Sequence, residues 1–143
     1  MSVLVGYDTT QASLQAVLVA ADEARRRGVP LHILWYQEHD PGDSPVRAQA
    51  QARDAGVADE RLERLARTLS EGGVETHVVI EHGFAGGAAD ALLAKAKQLE
   101  AELVVLGLRP RPTIEKVLMG SVARQVMRHC HCPVLTVKAD TPR

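Results

Sequence analysis

The stretch GLRPRPTIEKVLMGS, Gly107 to Ser121, opens on one glycine and ends on another followed by serine. It holds three cations, Arg109, Arg111 and Lys116, with Arg124 just beyond. These residue types suit one chemistry, the gripping of a phosphate. Glycines let the backbone approach an anion closely. A helix start presents unpaired N–H groups and about half a positive charge, and Ser121 adds a hydroxyl donor. Pro110 is discordant: it stands where such a loop favours another glycine, has no N–H, and fixes φ near about −65°. The plainer reading of the same residues makes Gly107 a turn and Ser121 a helix cap.

Other chemistries lack their residues. The patterns GxxxxGK[ST] and GxGxxG are absent, which excludes a P-loop and the usual dinucleotide fingerprint. No GxSxG elbow offers a hydrolase serine, and no HEXXH or paired CxxC offers a zinc site. RHCHCP, 128–133, packs two histidines and two cysteines together. Neighbours in an extended segment point to opposite faces, so these side chains are expected to pack rather than to surround a metal, and no metal site is assigned. Asp8 ends an apolar run and reads either as a turn residue bonding the next helix or as a carboxylate facing a ligand. His39, His77 and His82 have no evident partner in the sequence and read as surface or packing histidines. No nucleophile, base and orienting group stand at a recognisable spacing, so no catalytic residue is assigned.

Four loops carry these residues because four apolar runs precede them. SVLVGYD (2–8), VPLHILWY (29–36), VETHVVI (74–80) and ELVVLG (102–107) read as buried strands, and PVLTVK (133–138) as a fifth. Helical spacing fills the gaps. Leu14, Val17, Leu18, Ala21 and Ala24 form one stripe between a Thr10 cap and Gly28. Ala58, Leu62, Leu65, Ala66 and Leu69 form another within about 46–71, where Gly56 marks an irregular start. Leu92, Leu93, Ala96 and Leu99 lie on a third helix over 88–101, and 121–129 is a short fourth. Alternating strands and helices predict an α/β domain with a parallel sheet covered on both faces. Ligands of such sheets sit beyond the strands' carboxyl ends where strand order reverses. That confines the site to the loops Asp8–Thr10, Tyr36–Ser44, Glu81–Gly87 and Gly107–Gly120.

Bulk properties exclude other classes. The 143 residues suit a single domain, 1–143, and 45% hydrophobic content suffices for a core. A net charge of −1 and 3% aromatics give neither a field nor stacking platforms for nucleic acid. No signal-peptide pattern and no membrane-length apolar run is present. With two cysteines and no disulfide framework, the expectation is a cytoplasmic protein that binds neither nucleic acid nor membrane.

The quoted segments resemble the universal stress protein family in its single-domain form. VLVGYDTTQASLQAVLVAA is similar to that family's opening strand, Asp turn and first helix, and GFAGGAADALLAKAKQLEAELVVLG to its third helix and fourth strand. The most specific part is GLRPRPTIEKVLMGSVARQVMRHCHCPVLTV. It keeps the spacing of the members that bind ATP, with Gly107, then Pro110 in place of a glycine, then Gly120-Ser121. The resemblance implies a Rossmann-like open sheet of five parallel strands in the order 3-2-1-4-5. It implies a stress-response switch or sensor that binds ATP, with or without Mg2+, or a related adenine nucleotide, and hydrolyses it slowly at most. By position, Gly6, Asp8 and Tyr36 line the adenine and ribose end, while Gly107, Gly120, Ser121 and the Val122 backbone hold phosphates. It also implies a homodimer paired through Val134 to Lys138.

Three departures bear on this. Loss of one charge-assisted donor at Pro110 costs roughly 1.5–3 kcal/mol, about ten- to a hundred-fold in affinity, which Arg109 and Arg111 can offset by contacting phosphate. Thr9-Thr10 replaces the family's Gly-Ser, and Tyr36, bulkier than the usual small aliphatic residue, either stacks beside adenine or crowds it. The second reading is a nucleotide-independent dimeric interaction protein of the same fold.

Overall fold

The structure is a computed structural model, and it describes residues 1–39, 42, 44–108 and 120–139. Five strands and four helices follow in alternation: β1 Ser2–Tyr7, α1 Gln11–Arg27, β2 Leu31–Glu38, α2 Pro45–Glu71, β3 Thr76–Gly83, α3 Ala88–Gln98, β4 Ala101–Leu108, α4 Ser121–His129 and β5 Val134–Lys138. The sheet order is β3-β2-β1-β4-β5, and every pairing is parallel. This is the order implied by the resemblance, with β1 and β4 adjacent and the order reversing between them.

Alternate residues of each strand supply two cores, as the two-residue period requires. Val3, Val5, Ile33, Trp35, Leu103 and Val105 face α1 and α2. Leu4, Leu34, Val104, Leu106 and Leu108 face α3 and α4. A parallel sheet buried on both sides explains why its strands are continuously apolar.

Two strands run further than their apolar letters. β2 and β3 continue through polar residues, pairing Tyr36 with Glu81, Gln37 with His82 and Glu38 with Gly83. Backbone pairing carries the strands onward where side chains no longer reach the core. The same register stacks His32 on His77, and just past the end of β2 His39 stacks on His82, with ring centroids 4.9 and 5.0 Å apart. The histidines that have no visible partner in the sequence thus stack on one another in pairs.

Helix α1 differs from expectation in its buried face. Ala12, Ser13, Ala16, Val17, Ala20, Ala21 and Ala24 are buried, while Leu18 is 47% exposed. The alanine face wins because α1 lies close on the sheet. A Cβ on Gly107 of β4 would stand 2.6 Å from the Ala12 carbonyl carbon and 2.8 Å from the Ser13 nitrogen. Only small side chains fit such an approach. Helix α2 passes straight through Gly56, which has no neighbour within 4 Å of an added Cβ. Its buried residues, Leu62 and Ala66, lie in the second half, with Ala55, Ala58, Leu65 and Leu69 partly buried against the core. No described helix is long and apolar enough to cross a membrane.

Candidate functional site: a crevice at the β1–β4 switch point

Because β1 leads into α1 on one face and β4 precedes α4 on the other, the chain leaves the sheet in opposite directions at adjacent strands. A cavity of about 400 Å³ opens there. Gly6, Asp8 and Tyr36 line it from one side, and Gly107, Gly120, Ser121 and Val122 from the other. Seven of the residues singled out in the sequence therefore share one space, though they come from four separate segments. Arg109, Pro110 and Arg111 lie outside the described residues.

The Asp8 turn is tightly bonded. Asp8 Oδ1 accepts from the Thr10 N–H at 3.0 Å and from the Thr10 hydroxyl at 2.5 Å. Thr10 Oγ1 in turn accepts from the Ser13 N–H at 3.2 Å and caps α1. Thr9 takes φ 70°, a left-handed conformation that a β-branched residue adopts at a cost of about 1–2 kcal/mol. A glycine would meet that conformation freely, which is the physical content of the Gly-Ser to Thr9-Thr10 departure. Ser13, unmarked in the sequence reading, lines the cavity and is buried. Its hydroxyl accepts from the Asp8 N–H at 3.2 Å and donates to the Thr10 carbonyl at 2.9 Å. The available signal was a hydroxyl in the first turn, on the helix's small-residue face. Beside the turn, burial raises the Tyr7 phenol above its ordinary pKa, and the Asp8 charge adds to the rise while Arg61 opposes it.

Tyr36 closes the β2 end of the cavity. Its hydroxyl donates to the Phe84 carbonyl at 2.7 Å, and its ring occupies space vacated by two glycines. A Cβ on Gly83 or Gly87 would meet the Tyr36 oxygen at 2.1 or 2.2 Å. The Gly86 N–H also donates to Glu38 Oε1, at 3.3 Å, tying this loop to the end of β2. Gly83 and Gly87 thus belong to the site's frame, a role invisible without their distant tyrosine. Gly87 has φ −83°, so alanine is conformationally acceptable there, and the contact alone decides the outcome. Gly87→Ala is expected to lower stability by about 1–3 kcal/mol through overpacking. In a Tyr36→Ala background the penalty should fall to that of the 3.2 Å approach to the Phe84 carbonyl, so a double-mutant cycle by chemical denaturation measures the coupling. Additive effects would separate the glycine from the tyrosine.

The opposite wall is the start of α4. Gly120 caps the helix in extended conformation with no side-chain hydrogen bond, and an added Cβ there would meet no described residue within 4 Å. Ser121 is exposed and Val122 half-buried. The first-turn N–H groups receive no cap from a Gly120 side chain, and such helix starts suit an anion. Among the described lining residues Asp8 is the one carboxylate, and none is a lysine, arginine or histidine.

RHCHCP lies at the other end of α4. The chain bends at His131 and Cys132 instead of continuing extended. One ligand atom each from Cys130, His131 and Cys132 consequently fall within 4.8 Å of one another. The premise of opposed neighbouring side chains does not hold for these three. Burial, with the Cys130 hydrogen bond next, pushes the Cys132 thiol up to about 12.

Comparison with known proteins agrees with this geometry. The profile of the universal stress protein family matches residues 1–138. A universal stress protein of Mycolicibacterium smegmatis is 32% identical over 136 residues, covering 95% of this chain and 96% of that one. A Methanocaldococcus jannaschii universal stress protein is 34% identical over 79 residues, 55% of this chain and 45% of the relative's length. Among solved structures, a universal stress protein in complex with cAMP superposes with a TM-score of 0.68 at 27% identity, covering 98% of each chain. The fold, the switch-point crevice and these likenesses agree, and the chain belongs to the universal stress protein family.

Proposed function

We propose that the chain binds an adenine nucleotide, ATP with Mg2+ foremost, in the β1–β4 crevice, and that occupancy acts as a switch or sensor in a stress response. The observation that carries this reading is the α4 N-terminus on the cavity wall, where no described residue comes within 4 Å of a Cβ added to Gly120. A volume of about 400 Å³ falls within the range of small-molecule sites. Leu34, Leu92 and Leu106 supply an apolar wall for a base. The solved relative holding cAMP supports adenine nucleotides as the ligand class. Asp8 offers the lining carboxylate for Mg2+ or for an exocyclic amine. Arg109 and Arg111 follow β4 directly in sequence and are assigned to phosphate on that ground.

The proposed role is binding, with at most slow incidental hydrolysis, since the Asp8 carboxylate is engaged by Thr10 and no general base accompanies it among the described lining residues. The test is to denature freshly purified protein and identify what is released by chromatography. An adenine nucleotide near one per chain supports the reading. None released, and none taken up on incubation with ATP, counts against it.

A cytoplasmic homodimer paired through β5 completes the proposal. β5 is an edge strand, and its Leu135 is 36% exposed, the kind of edge that proteins otherwise protect with charge. Leu135→Lys should leave the monomer folded and weaken the dimer by at least about ten-fold, through burial of an unpaired charge. Sedimentation velocity reads the shift. An unchanged sedimentation coefficient at equal concentration would move the interface elsewhere. Two observations favour the nucleotide-independent reading: Gly107 is required by α1 packing, and Asp8 by its turn, with no ligand in either account.

A further inference from the structure

We propose that Cys130, His131 and Cys132 form a binding site for a single thiophilic d10 cation of the Zn2+ type, separate from the crevice. Cys130 Sγ and Cys132 Sγ are 3.4 Å apart, and the three ligand atoms of the cluster lie within 4.8 Å of one another. Among the described residues no other three His, Cys, Asp or Glu side chains gather in this way.

The spacing suits a metal. Two sulfurs 3.4 Å apart, each about 2.3 Å from one ion, subtend about 95° there, and a few tenths of an ångström of opening gives the tetrahedral angle. Both cysteines are half-buried against the α3–α4 core, while His131 is exposed. The thiolates would thus stand on packed backbone, with the imidazole closing from solvent. Two thiolates and an imidazole are a soft donor set that favours Zn2+ over Mg2+ or Ca2+. Each cysteine releases its proton to the buffer on coordination, so uptake of one divalent ion frees two protons. The site also lies at the carboxyl end of α4, where the helix dipole favours a cation. His131 also lines a cavity of about 300 Å³ with His129, Lys97 and Leu93. With three protein ligands, water or an anionic ligand would complete a tetrahedral set.

The site is independent of the nucleotide, because the crevice uses the opposite end of the same helix. The experiment uses tag-free full-length protein, reduced and stripped with chelator, and titrates Co2+ while following sulfur-to-cobalt charge-transfer absorption. Saturation at one equivalent, displacement by Zn2+, and loss of the absorption in Cys132→Ser are expected. His131→Ala, at an exposed position, should keep the wild-type circular dichroism and lower Co2+ affinity about ten-fold or more. No charge-transfer band in the folded wild-type protein would overturn the proposal. So would a His131→Ala protein with unchanged affinity, or a Cys130–Cys132 disulfide that persists under the reducing conditions.

Discussion

Ser121→Glu is expected to weaken ATP binding by about ten- to a hundred-fold while leaving thermal stability unchanged or slightly raised. The two effects have opposite signs for one reason. The N-terminus of α4 carries partial positive charge, so a carboxylate there stabilises the helix by roughly 0.3–1 kcal/mol. The same carboxylate would occupy the end of the crevice where the proposal puts phosphate, and it would repel that charge. Loss of one charged hydrogen bond alone amounts to roughly 1.5–3 kcal/mol. Ser121 is exposed and lines the cavity, so the glutamate meets no core. Calorimetry and a melting curve on the same sample read both effects. An unchanged ATP affinity would remove α4 from the site.

Gly107→Ala is expected to have the largest effect on the fold. The added methyl carbon would stand 2.6 Å from both the carbonyl carbon and the oxygen of Ala12. Those are backbone atoms at the start of α1, and they cannot rotate away. Helix α1 has to lift from β4, which loosens the alanine face from Ala12 to Ala24. About 3 kcal/mol is the expected loss, the upper end for overpacking, or roughly 10 °C in Tm for a chain of this size. Were Gly107 present only to admit phosphate, the variant would melt at the wild-type temperature and lose nucleotide alone. The melting temperature in the absence of nucleotide decides between these roles.

The contrast between Gly107 and Gly120 shows where sequence reading reached and where it stopped. Both were visible as phosphate-loop glycines from spacing alone. Their surroundings differ, because one is crowded by a helix that follows a different strand and the other meets no described residue within 4 Å. Strand and helix existence was legible from apolar runs and helical spacing, since a doubly covered parallel sheet imposes both. Strand order was not legible from periodicity and entered through the family resemblance. In α1 the expected Val17, Ala21 and Ala24 are buried but Leu14 is only half-buried and Leu18 exposed, because the larger apolar residues weigh more in a pattern than alanines do. What selects the alanines is proximity to β4, a tertiary fact.

The frame of the site was hidden for a similar reason. Tyr36 is separated from Gly83 and Gly87 by more than a whole helix, and nothing local marks the glycines as its contacts. At Cys130 to Cys132 the chain bends where an extended segment was expected, because the short turn between α4 and β5 leaves no mark in the residue pattern.

Calorimetric titration of ATP with Mg2+ into nucleotide-free wild-type protein tests the central claim most directly. The account predicts saturable heat at one ATP per chain, with Pro110 tolerated and affinity reduced by Ser121→Glu. No heat at millimolar ATP, from protein shown to be folded, would contradict it and leave the dimeric interaction surface as the seat of function.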